Sequence, residues 1–240
     1  YNDGVGKVSP IVYIFRSLAN ILNMVPWLTC AIIIGIFHKD AGYVVAFSWN
    51  RFFLKFSGIK VLIQNENNPS ENLSGCVFTL LSQTSLLDGP VGICAIPRPC
   101  RGIINIEDAM IPIFGWAVWV FSYVLIRQWS WQSKIALSRV EKFLRNGGNL
   151  WISIEGKRSK DGSLSPYKKG PAVLAILSEA KIVPVIIEGT SESSGYGKWC
   201  GNKRVVTVRL LPTIATEGMT YDDRDYLVGR LAHIAETELG

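Results

Sequence analysis

Two short polar segments in an otherwise apolar chain carry the residue types from which a reactive site could be built. The first is Ser82-Gln83-Thr84-Ser85-Leu86-Leu87-Asp88. The Asp88 carboxylate can orient a neighbour or accept hydrogen bonds. The Gln83 amide can donate and accept them but cannot act as a general base near neutral pH. Ser85 and Asp88 also spell Ser-x-x-Asp, a capping-box-like helix start. The second segment is Ile154-Glu155-Gly156-Lys157-Arg158-Ser159. Gly156 permits close backbone approach, and the Arg158 guanidinium can grip a phosphate through two parallel hydrogen bonds. The competing reading of Arg158 is a solvated loop charge, which suits Lys157, Lys160, Lys168 and Lys169 as well. A Walker-type phosphate loop is excluded, because the Gly five residues before Gly156 is missing and Arg158 stands where Ser or Thr is required.

Both segments follow short apolar runs that read as strands: Cys76 to Leu81 before the first, Leu150 to Ile154 before the second. Further strands are expected at 59–64, 101–106, 123–127, 183–187 and 204–211. Helices are expected near 113–122, at 132–146 (ended by Gly147-Gly148), at 168–180 and over about 222–239. Strands alternating with helices predict an α/β fold, with a mixed, mostly parallel central sheet flanked by helices. Val183-Pro184-Val185 reads as a buried strand with its proline near a sheet edge.

The N-terminus differs in character. Ser17 to Phe37 is a run of 21 residues without charge, long enough for a helix of about 31 Å. Asn20, Asn23 and Pro26 interrupt it, and Arg16 precedes it. Two helices, 8–24 and 26–38, meeting near Pro26 are therefore expected, as a hairpin that dips into one leaflet without crossing. The division that follows is 1–45 for the hairpin and 46–240 for the catalytic domain. No small-residue cleavage site precedes His38-Lys39-Asp40, so a signal peptide is not expected. Met110 to Ile126 is a second charge-free run, of 17 residues. With Pro112 and Gly115 inside it, it reads as a core helix or an apolar wall.

The chain of 240 residues is 48% hydrophobic and carries a net charge of +6, which excludes global disorder and suits an anionic partner. Eight Trp favour a lipid–water boundary over nucleic acid, for which no motif is present. Five scattered Cys (Cys30, Cys76, Cys94, Cys100, Cys200) lack metal-ligand spacing and read as reduced thiols.

Four blocks in order resemble the lysophospholipid acyltransferase family, which includes the 1-acylglycerol-3-phosphate acyltransferases. Ser82 to Asp88 is similar to the family's Asn-His-x-Ser-x-x-Asp, and Gly115 to Arg127 to its Gly-containing stretch ending Phe-Ile-Asp-Arg. Ile154 to Ser159 resembles Pro-Glu-Gly-Thr-Arg-Ser, and Ile182 to Val185 forms the fourth block. The resemblance implies direct acyl transfer from acyl-CoA or an acyl carrier protein to the hydroxyl of a lysophospholipid such as lysophosphatidic acid. No metal, no other cofactor and no covalent acyl-enzyme are expected. Position 83 would be the base and Asp88 its orienting partner. Glu155 would contact an acceptor hydroxyl or order the basic groups. Residues 155–159 would form the acceptor site, with Arg127 and Arg158 clamping phosphate. The α-helix following the first block would also present backbone N–H groups to an oxyanion.

The departure is Gln83, where the family has His. Three readings are open: a deliberate, inactivating His→Gln change, a catalytically inert lipid- or acyl-CoA-binding member of the fold, or a different base. The expected setting is the cytoplasmic face of a membrane, held there as a monotopic or peripheral protein, with phospholipid as partner and no nucleic acid.

Overall fold

The computed structural model describes residues 10–97, 99–110, 114–125, 130–156, 165–194 and 205–239. The chain opens with α1 (Pro10–Phe37) and α2 (Lys39–Phe56), then β1 (Lys60–Asn65), β2 (Val77–Leu80), α3 (Asp88–Ala95) and β3 (Cys100–Asn105). There follow α4 (Ile106–Ala109), α5 (Phe114–Phe121), β4 (Tyr123–Leu125), α6 (Ser130–Arg145) and β5 (Asn149–Ser153). The last elements are α7 (Gly170–Ser178), β6 (Ile182–Glu188), α8 (Thr190–Ser194), β7 (Val205–Leu210) and α9 (Arg224–Leu239).

The strands form one seven-stranded sheet in the order β1-β7-β6-β2-β5-β3-β4. Every pairing is parallel except β6–β7, so the expected mixed, mostly parallel sheet is what forms. Period-two side-chain alternation splits the core between the two faces. Ile182 and Ile186 join Leu150, Ile152, Leu174 and Leu231 on one face. Val183, Val185 and Ile187 join Phe78, Trp151 and Val91 on the other.

Pro184 does not lie near an edge. It sits in β6, a central strand whose residues Ile182 to Ile187 are all buried. The strand tolerates it because the β7 ladder begins one residue later, at Val185↔Leu210. Pro184 accepts the Leu211 N–H at 2.9 Å and has no N–H to return. The Leu211 carbonyl instead takes a bond from Asn67 Nδ2 at 3.1 Å.

The N-terminal hairpin forms with a different partition from the one Pro26 suggests. α1 runs unbroken through Pro26, and the chain reverses at His38, which is extended (φ −140°, ψ 91°). Proline removes only the N–H that would bond the Leu22 carbonyl, on a stretch where Leu22 itself is largely exposed. Packing against α2 and α5 offsets that loss. A Cβ on Gly42 would lie 2.5 Å from Gly35 Cα and 2.6 Å from the Ala31 carbonyl oxygen. The two helices therefore meet backbone to backbone, a contact only glycine allows. Residue 45 falls inside α2, and Leu28 and Ala31 of α1 share a core cluster with Ala117 and Phe121 of α5.

Candidate active site

β5 and β6 flank β2 in parallel, with Leu80 opposite Ser153 on one side and Val185 on the other. The carboxyl ends of all three strands therefore open at the same edge of the sheet, where ligands of open α/β sheets bind. Gln83 follows β2, Glu155 follows β5 and Thr190 follows β6.

The segment after β2 is held by two buried carboxylates. Asp88, 1% exposed, accepts the N–H groups of Thr84 and Ser85 on Oδ2, both at 2.8 Å. Its Oδ1 accepts the Thr190 hydroxyl at 2.5 Å. Glu155 is fully buried and accepts the Gln83 N–H on Oε2 at 2.7 Å and the Ser165 N–H on Oε1 at 2.6 Å. The Leu87 N–H bonds Ser85 Oγ at 3.1 Å, which completes the Ser85–Asp88 pairing as a cap-like turn leading into α3. Thr84 Oγ1 lies 3.4 Å from Thr190 Oγ1.

The N–H groups of residues 83–85, which precede α3, are each engaged by a carboxylate. Gln83 is half-buried. Gly156, with φ +67°, turns the chain sharply after Glu155, a conformation other residues rarely adopt. Tyr167 donates its hydroxyl to the Leu81 carbonyl at 2.7 Å. Burial, reinforced by the negative charges of Glu155 and Glu236, raises its phenol well above the ordinary range and keeps that donor protonated.

Gln83, Asp88, Glu155 and Gly156 thus come together at one end of the sheet. Arg127, Lys157, Arg158 and Ser159 lie outside the described residues, as does Cys200. Thr190 was not singled out in the sequence: a lone hydroxyl after Gly189 carries no local signal, and only the fold brings it to Asp88, 102 residues away in sequence.

An apolar cleft of about 640 Å³, counted with its open mouth, is lined by residues including Leu28, Phe47, Ile93, Ile104, Val118 and Phe121. α3 joins the cleft to the polar loop. Ile93 faces the cleft, and Pro90 at its first turn accepts a bond from Asn50 Nδ2 at 2.8 Å. α5, from the charge-free run 110–126, supplies one wall, while Trp116 and Trp119 on its other side are exposed.

A family model described as Acyltransferase matches residues 61–188. The chain is 30% identical over 145 residues to human 1-acyl-sn-glycerol-3-phosphate acyltransferase alpha, covering 58% of this chain and 50% of that one. It is 29% identical over 180 residues to the human beta form, covering 74% and 64%. A chloroplastic relative from Brassica napus, 1-acyl-sn-glycerol-3-phosphate acyltransferase BAT2, is 32% identical over 128 residues, covering 53% and 36%. The chain thus spans about half the length of such relatives. In fold it is similar to the crystal structure of the 1-acyl-sn-glycerophosphate (LPA) acyltransferase PlsC from Thermotoga maritima. The TM-score is 0.71 at 17% identity, with 96% and 95% of the two chains covered.

Proposed function

Because the chain belongs to the acyltransferase family, we propose that its site moves a fatty acyl group from an acyl thioester to the hydroxyl of a lysophospholipid such as lysophosphatidic acid. The observation that carries this reading is the convergence of Gln83, Asp88 and Glu155 at the carboxyl ends of adjacent strands, in a fold that also holds an apolar cleft lined in part by Ile93 of α3. The cleft suits an acyl chain. Acyl-CoA or an acyl carrier protein is the donor, and no cofactor takes part. Lys157, Arg158 and Ser159, with Arg127, hold the acceptor phosphate in this reading.

Acyl transfer needs the attacking hydroxyl to lose its proton as it meets the thioester carbonyl, with a base in hydrogen-bond reach. Gln83 stands at the base position and cannot take the proton, so turnover by the chain as it stands is poor or absent. Gln83→His restores an imidazole there. Its expected effect is a gain of about 10²- to 10⁴-fold in acyl transfer from acyl-CoA to lysophosphatidic acid in mixed micelles. Lack of any gain would refute position 83 as the base.

Gln83 also supports a second reading, a catalytically inert protein of the same fold that binds lysolipid or acyl-CoA. Such a protein would bind these ligands yet stay inactive as Gln83→His.

The hairpin of α1 and α2 associates with the membrane surface in this proposal, as a monotopic or peripheral element on the cytoplasmic face. Leu18–Phe37 within α1 is a segment long and apolar enough to cross a bilayer, at mean hydropathy 1.8. Ile14, Phe15, Leu18, Leu22, Ile36 and Phe37 are exposed along the same helix, an apolar surface that lipid would cover.

A further inference from the structure

Glu155 belongs to the block expected to meet the acceptor, yet its carboxylate has no surface with which to do so. It is 0% exposed, and each oxygen accepts a main-chain N–H, one from Gln83 at 2.7 Å and one from Ser165 at 2.6 Å. Its place at the end of the sheet explains why. The β2–β5 ladder reaches the bond from the Ile154 N–H to the Leu80 carbonyl, at 3.1 Å. Beyond that rung the Ile154 carbonyl turns away to accept the Lys168 N–H at 2.8 Å. Three residues past Leu80, the Gln83 N–H is taken up by the Glu155 side chain. The carboxylate thus ties the two chains together past the point where the backbones separate. Its second oxygen ties in the returning chain at Ser165, and Tyr167 fastens the same return to the Leu81 carbonyl.

We infer that Glu155 is a positioning residue: by gripping the main-chain N–H groups of Gln83 and Ser165 it fixes the backbone from which the side chain at position 83 is aimed, and it does not touch the acceptor. Asp88 does the same for the next two amides, Thr84 and Ser85. Three consecutive N–H groups are thus held by two carboxylates, one just past the end of β5 and one at the start of α3. Position 83 is the junction between the two grips.

Two arms test this. The first needs no turnover. Glu155→Gln keeps one acceptor oxygen but turns an NH₂ toward the other N–H. Hydrogen–deuterium exchange should then quicken by at least about tenfold in peptides covering 81–85 or 165–168, the effect of losing one charge-assisted bond. Exchange in β1 and α9 should stay as it was. Unchanged exchange in both peptides would overturn the inference.

The second arm rests on the acyl-transfer reading. In the Gln83→His background, Glu155→Gln should lower kcat by about tenfold or more while the acceptor KM stays within about threefold, since an interaction that aims the base acts on the transition state and not on acceptor binding. Glu155→Asp retains charge and only one of the two bonds, so its kcat should fall between those of the parent and of Glu155→Gln. A tenfold rise in acceptor KM at constant kcat would instead make Glu155 an acceptor contact and overturn the inference. Should Gln83→His show no turnover at all, the acyl-transfer reading fails by itself, and the exchange arm still decides the role of Glu155.

Discussion

Asp88 offers a stability experiment whose outcome follows from counting donors. Three groups converge on its carboxylate: the N–H groups of Thr84 and Ser85 on one oxygen and the Thr190 hydroxyl on the other. Water cannot replace them, because Asp88 and Thr190 are both buried. Asp88→Ala strands two main-chain donors outright. At about 1.5–3 kcal/mol for each bond to a charged acceptor, the loss is about 3–6 kcal/mol from these two alone. That is a large part of the roughly 5–15 kcal/mol that separates a typical native domain from its unfolded chain.

Asp88→Asn should behave quite differently. Its remaining oxygen can stay on the two N–H groups while its NH₂ faces Thr190, whose hydroxyl rotates to accept. Only the charge-assisted part is lost, about 1–2 kcal/mol. Thr190→Val removes a single bond and should also cost about 1–2 kcal/mol. Urea unfolding in mild detergent, followed by far-ultraviolet circular dichroism, gives these differences as midpoint shifts at constant slope. The reasoning is refuted if Asp88→Ala lies within about 1 kcal/mol of the parent, or if Asp88→Asn is as damaging as Asp88→Ala, since either result would mean that the bonds described do not set the loop's stability.

Two further outcomes are expected. Burial pushes the thiols of Cys76 and Cys94 up from 9.0 to about 11. Between those values the native chain keeps protons that the unfolded chain releases, so stability is fully present below about pH 9 and falls as pH rises toward about 11. Urea midpoints across this range should fall, and fall less steeply in Cys76→Ala/Cys94→Ala; a flat or rising profile would contradict the assignment. At the membrane, Leu22→Asp acts on an exposed side chain of the proposed lipid-facing hairpin, and Trp116→Ala on an exposed side chain of α5, which packs against that hairpin. Co-sedimentation with anionic phospholipid vesicles should weaken by roughly tenfold for Leu22→Asp and severalfold for Trp116→Ala, and undiminished binding by both would remove these helices from the interface.

The sheet was legible because each strand is a short apolar run closed by a turn signal. Cys76 to Leu81, Leu150 to Ile154 and Val183 to Ile187 all fall within a residue or two of β2, β5 and β6. Gly147-Gly148 marked the end of α6 for the same reason. The hairpin was legible in kind but not in partition. Propensity places a break at Pro26, whereas the backbone contact of Gly42 with α1 depends on tertiary packing that no local pattern announces. Pro184 misled in the same way, because the bond it cannot donate is supplied from Asn67, more than a hundred residues away. At the site, the residue types at 83, 88 and 155 were readable, but not which atoms they use. That Asp88 and Glu155 spend their oxygens on main-chain amides follows from how β2 and β5 end side by side, and Thr190 enters only through β6.

The bonds that shape this loop also dictate when it can exist during synthesis. Gln83 waits for Glu155, 72 residues downstream, and Asp88 for Thr190, 102 residues downstream. A ribosome-bound fragment ending between Asp88 and Glu155 has made the whole first motif yet lacks both partners that give it shape. Such long-range closure folds slowly. The apolar hairpin, made before the loop and from neighbours in sequence, is therefore free to form well before the polar loop acquires its final geometry.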